Sequence, residues 1–133
     1  MRILIVDDEK NQVKALSLSL RSNGYETATA ESADQALTLL DRQREWVDLV
    51  ITDFVMPGMN GLQLLRKIKT KYPSLPVVIM SAKGTDRLAE DTAQSGGEMF
   101  LYKPFLIEEL LRGIHKIAEQ KGKSEKSGAD QTF

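Results

Sequence analysis

Ile3-Leu4-Ile5-Val6-Asp7-Asp8-Glu9 carries the first decision about the fold. Four consecutive apolar residues, three of them β-branched, leave no side for water. A strand covered on both faces reads this way. The run stops at three acidic residues. The next stretch has helical spacing, with Val13, Leu16, Leu18 and Leu20, and closes at Asn23-Gly24.

The same alternation recurs down the chain. Tyr25 to Ala30 alternates as a second, weaker strand would. Ser32 with Gln35 is a capping-box signature opening a helix through Ala36, Leu37, Leu39 and Leu40. Val47 to Thr52 is a third strand, ending at Asp53. The loop Met56-Pro57-Gly58-Met59-Asn60-Gly61 leads into a helix over Leu62 to Tyr72. Pro76 introduces a fourth strand, Val77-Val78-Ile79-Met80. A weakly apolar helix over Arg87 to Gln94 precedes the fifth, Met99-Phe100-Leu101-Tyr102, and a last helix runs from Ile107 to about Glu119. Five strand–helix units of about 20–25 residues predict an α/β domain, a doubly wound parallel sheet with helices on both faces. From Lys121 the composition turns to Lys, Gly and Ser with almost nothing to bury, so 1–120 reads as the domain and 121–133 as a flexible tail or the start of a linker.

Composition narrows the function. The 133 residues carry 18 Lys+Arg against 19 Asp+Glu, a formal net charge of −1, which argues against direct nucleic-acid binding. With no cysteine there are no disulfides, thiolate metal sites or cysteine nucleophiles. The single histidine, His115, excludes a two-imidazole site and reads as a surface or half-buried residue. No signal-peptide stretch or membrane-length apolar run is visible, so a cytoplasmic location without membrane contact is expected.

The polar residues that interrupt this pattern fall at strand ends. Asp7 and Asp8 come after the first strand, Asp53 the third, Ser81 the fourth and Lys103 the fifth. Ligands of open α/β sheets bind beyond the carboxyl ends of the strands, where the strand order reverses. In a flavodoxin-like order 2-1-3-4-5 the first and third strands are neighbours there, and the three aspartates converge with Ser81 and Lys103 beside them. Three crowded carboxylates need more positive charge than one lysine supplies. Mg²⁺, a hard cation that keeps sites open for a phosphate oxygen, is the natural complement, with Mn²⁺ as an alternative. A carboxylate beside such an ion, a lysine and a hydroxyl has the parts to accept a phosphoryl group.

Ile5-Val6-Asp7-Asp8-Glu9, Asp53-Phe54-Val55-Met56-Pro57-Gly58-Met59-Asn60-Gly61, Met80-Ser81-Ala82-Lys83 and Lys103-Pro104-Phe105 together resemble the receiver domain of two-component response regulators. The resemblance spans Arg2 to about Glu119. It implies that Asp53 takes a phosphoryl group from a sensor histidine kinase or phosphotransfer protein. Asp8, Asp53 and the Val55 backbone carbonyl would hold the metal, with Asp7 acting through water. Lys103 would contact the phosphoryl oxygen. Ser81 and Phe100 would form the switch, and Pro104 matches a cis-peptide position that fixes how Lys103 points. The chain would then be a regulatory phospho-acceptor catalysing only its own phosphorylation and dephosphorylation. It would signal through the face of its fourth helix, fifth strand and fifth helix, to an output domain, a downstream protein or a second copy of itself.

Other readings fit the residues less well. Asp7-Asp8 alone could be a helix cap, and Ser81 could be one too. Phe100 could be core, and Tyr102 and Trp46 read as packing or surface aromatics. A phosphatase of the haloacid-dehalogenase kind would want an acid two residues after Asp53, where Val55 stands. A flavodoxin-like cofactor module would want a Gly/Ser/Thr-rich loop in place of Asp7-Asp8-Glu9. A receiver that signals without phosphorylation would not need the full acidic, hydroxyl and lysine set. The chain departs from the family at Ser95-Gly96-Gly97-Glu98, where Gly-Ala before an acid is more usual. Val55 and Lys83 occupy positions that tune phosphoryl loss in the family, and apolar Val55 predicts a long-lived phospho-form.

Overall fold

The computed structural model describes residues 1–130, with side chains through Lys121. Its elements are β1 (Arg2–Val6), α1 (Lys10–Ser22), β2 (Glu26–Ala30), α2 (Ala33–Gln43), a 3-10 turn (Arg44–Trp46), β3 (Leu49–Asp53), α3 (Gly61–Lys71), β4 (Val77–Ser81), α4 (Asp86–Gln94), β5 (Met99–Tyr102) and α5 (Ile107–Asp130). All strand pairs are parallel, in the order β2-β1-β3-β4-β5. This is the doubly wound α/β sheet that the sequence pattern predicts.

Burial along each strand reflects its place in that order. Every residue of β3 and β4 is buried, and β1 is buried from Ile3 onward. The edge strands β2 and β5 are mixed. Alternate residues enter opposite layers. Leu4, Val6, Val50, Val77 and Ile79 form one core with Ala33, Ala36 and Leu40 of α2 and Leu64, Leu65 and Ile68 of α3. Ile3, Ile5, Leu49 and Ile51, fully buried, point the other way.

Three helix starts are capped by side chains. Ser32 Oγ accepts the Gln35 N–H at 3.1 Å, while Gln35 Oε1 accepts from Glu31, one residue before the cap. Asn60 and Gln63 form a reciprocal capping box, and Thr85 Oγ1 accepts the Leu88 N–H at 3.1 Å. On α1 the expected apolar set shifts. Leu20 is buried and Val13, Leu16 and Ser17 are half-buried along one helical stripe, whereas Leu18 lies off that stripe and is exposed.

The chain divides into two compact units, Met1–Lys103, which contains the whole sheet, and a second beginning at Pro104. In the second, Leu110, Ile114 and Ile117 are buried along one stripe of α5, and His115 is exposed. Glu108 and Glu109 sit favourably in its first turn. The helix runs to Asp130, well beyond Glu119. Lys, Glu and Gln propagate a helix readily, and no proline interrupts this stretch. The last part of the anticipated tail, residues 131–133, lies outside the described residues.

Candidate functional site

The carboxyl ends of β1, β3, β4 and β5 open onto one rim and deliver its polar residues. Asp7, directly after β1, is fully buried, and its N–H is bonded to the Ala30 carbonyl at the end of β2 (3.1 Å). Its Oδ1 accepts the Glu9 N–H at 3.0 Å. Its Oδ2 is buried with no hydrogen-bond partner, alone in this among the described residues. Asp8 beside it is exposed. Asp53 closes β3, paired in register with Met80. Carboxylate oxygens from Asp7, Asp8 and Asp53 all lie within 4.8 Å of one another.

Lys103 stands just after β5, and its N–H is bonded to the Ser81 carbonyl at 2.9 Å. The ammonium stands 3.4 Å from Asp53 Oδ1 and 3.5 Å from Asp7 Oδ2. Its shortest contact is to Gln12 Oε1, at 2.8 Å. Three carboxylates facing one ammonium leave two negative charges uncompensated. Burial pushes the Asp53 carboxyl above the ordinary carboxylate range. Lys103 opposes the rise, Asp7 adds to it, and the Lys103 and Phe54 hydrogen bonds oppose it. A buried oxygen with no donor and a surplus of negative charge on hard oxygen ligands suit a divalent cation such as Mg²⁺.

Backbone contacts hold Asp53 in place. The Phe54 N–H donates to the Met80 carbonyl at 2.8 Å, and Thr52 Oγ1 donates to the Asp53 carbonyl at 2.9 Å. Gly61 opens α3 directly over this backbone, donating to the Phe54 carbonyl at 2.9 Å. A Cβ there would stand 2.9 Å from Phe54 Cα and closer still to the Asp53 carbonyl oxygen. Glycine at 61 is therefore a requirement of close approach.

Ser81, Val55 and Phe100 are placed as follows. Ser81 is fully buried at the end of β4, and its hydroxyl accepts the Lys83 N–H at 3.1 Å. The Val55 side chain is 48% exposed and offers no polar group. Phe100 is half-buried and meets Tyr102 edge-to-face, with centroids 4.9 Å apart. A Cβ on Gly84 would lie 2.6 to 2.9 Å from these two rings, so the loop before α4 is seated directly on them.

A sequence model of the response regulator receiver domain matches residues 3–115. The chain belongs to this family. A probable transcriptional regulatory protein, TcrX of Mycobacterium tuberculosis, is 36% identical over 122 residues, covering 90% of this chain and 50% of that protein. The transcriptional regulatory protein GlrR of Escherichia coli is 40% identical over 118 residues, 89% of this chain and 26% of that protein. The chain thus spans half or less of these relatives. Among solved structures, a receiver domain protein from Clostridium thermocellum superposes with a TM-score of 0.87 at 30% identity, covering 91% of this chain and 96% of that one. A chain of the CheX–CheY–BeF3–Mg²⁺ complex from Borrelia burgdorferi gives 0.84 at 28%, covering 88% of each.

In this receiver domain the sequence reading missed Gln12 and Gly84 as parts of the site, and included Gly61 only within a motif, without its steric role. Gln12 carried a readable signal, a glutamine at the third helical position after an acidic run. Gly61 and Gly84 had only the general one, glycine in a loop. Among the described residues no helix is long and apolar enough to cross a membrane.

Proposed function

We propose that this receiver domain is a phosphorylation-driven switch in which Asp53 accepts a phosphoryl group from the phosphohistidine of a sensor histidine kinase or phosphotransfer protein. The observation that carries the reading is the Asp53 carboxylate itself. It is buried at the end of β3, 3.4 Å from the Lys103 ammonium and grouped with Asp7 and Asp8. A carboxylate oxygen of Asp53 attacks phosphorus, the phosphorus–nitrogen bond breaks, and the imidazole leaves with the electron pair and takes up a proton.

Lys103 binds an oxygen of the transferring group and offsets its charge. Asp8, Asp53 and the Val55 carbonyl would hold Mg²⁺, with Asp7 acting through water, and the unpartnered Asp7 Oδ2 supports that role. Bound there, the ion supplies neutralisation of the phosphoryl oxygens. Ser81 reads as the hydroxyl that leaves its bond to the Lys83 N–H and turns toward the phosphoryl group. Phe100, edge-on to Tyr102, would then shift and change what α4 and β5 present to a partner. An output segment, a downstream protein or a second copy would read that surface. Residues 1–120 form the switch.

The test is intact mass after incubation with acetyl phosphate and Mg²⁺. A gain of about 80 Da, one phosphoryl group, is expected, absent with EDTA and absent in Asp53→Asn. No gain in the unaltered chain refutes the acceptor role.

A further inference from the structure

Three helices of this fold, α1, α2 and α3, carry a glutamine at their third position: Gln12, Gln35 and Gln63. In α2 and α3 the side chain turns back and accepts a backbone N–H at the helix start, from Glu31 and Asn60 respectively, each at 2.9 Å. In α1 the N–H at the cap position, Glu9, is already bonded to Asp7 Oδ1. Gln12 is thereby released from capping and reaches Lys103, 91 residues away, at 2.8 Å.

That contact is shorter than either ion pair of the same ammonium, 3.4 Å to Asp53 and 3.5 Å to Asp7. Charge-assisted N–H···O bonds close to about 2.7–2.9 Å when nothing restrains them. We propose that Gln12 is a positioning residue that holds the Lys103 ammonium back from Asp7 and Asp53, keeping their oxygens free for a divalent cation. Without it, Lys103 closes on the carboxylates, occupies the lone pairs the cation needs and brings a repelling charge nearer. The inference rests on the Mg²⁺-dependent reading above.

The experiment is Mg²⁺ titration of the full, metal-free chain by calorimetry. Gln12→Met is expected to weaken Mg²⁺ binding about three- to tenfold, near the lower edge of what outer partners of a metal contribute. Gln12→Ala, which removes the acceptor with a strong helix former, should do the same. Gln12→Glu keeps an acceptor at the same reach and should bind no more weakly than the unaltered chain. In a Lys103→Met background, Gln12→Met should change nothing, an outcome that general damage to α1 would not produce. Unchanged affinity in Gln12→Met and Gln12→Ala overturns the inference while leaving the metal reading standing, as does a loss that persists without Lys103. Absence of Mg²⁺ binding in the unaltered chain overturns the metal reading and this inference together.

Discussion

Replacing Gly61 with alanine tests whether the acceptor is held by backbone contact. The added Cβ would lie 2.9 Å from Phe54 Cα and 3.1 Å from the Asp53 carbonyl carbon. Non-bonded carbons settle about 3.5–4.0 Å apart, so Phe54 must retreat by at least about 0.6 Å. No flexible side chain can absorb that movement, because both neighbours are backbone. Overpacking of this kind costs about 1–3 kcal/mol, and alanine's helical preference over glycine returns somewhat less than about 1 kcal/mol. A net loss of about 1 kcal/mol in urea unfolding is therefore expected. Phosphoryl incorporation from acetyl phosphate should also slow by about tenfold or more, since a misplacement of an ångström at a reacting group has effects of that size. Gly58→Ala is the control. It has open space but a φ of +75°, so it should lose about 1 kcal/mol to strain while phosphorylation stays near normal. A Gly61→Ala protein with unchanged stability and unchanged phosphorylation would refute the reasoning.

The same geometry predicts three further outcomes. Because burial raises the Asp53 carboxyl in the folded state, its ionisation opposes folding, and that opposition grows as pH rises through the raised value. Asp53→Asn should therefore unfold at higher urea than the unaltered chain at pH 7 in EDTA, with the gap closing below the ordinary carboxylate range; a less stable variant at pH 7 refutes this. Gly84→Ala presses on ring edges that can turn, so it should cost about 1 kcal/mol but alter the near-ultraviolet circular dichroism of Phe100 and Tyr102. An unaltered aromatic signal would argue against the contact. Val55→Asn places an amide where an exposed aliphatic side chain now stands and should shorten the phospho-form's half-life several-fold, as read by decay of the phosphorylated mass; an unchanged half-life counts against the role of Val55.

The central strands were legible because their burial is written into unbroken apolar runs. Ile3 to Val6 reads as covered on both faces and is so, and Val77 to Met80, an unbroken apolar run of the same kind, is buried throughout. Each of Asp7, Asp53, Ser81 and Lys103 could be placed because a strand ends at or beside it, and the strand order does the rest. Other features are invisible to local reading. Gln12 meets Lys103 only through the packing of β1 against β3, β3 against β4 and β4 against β5, a relation that no window of sequence contains. The need for glycine at 61 is set by the distance to a backbone across a turn. Leu18 looks like core by composition, and only the phase of the helix puts it outside. The extent of α5 is not legible in composition, because a polar stretch resembles an end although polar residues can propagate a helix.

The last strand of the sheet to leave the ribosome brings Lys103, the lysine that stands among the three aspartates. Until β5 docks on β4, a growing chain holds Asp7, Asp8 and Asp53 with their mutual repulsion unrelieved by Lys103. Closing a contact over so long a stretch is slow compared with forming the helices between. The functional rim is therefore completed only once β5 has been made and docked, and a chain halted after β4 would carry an acidic cluster lacking its own counter-charge.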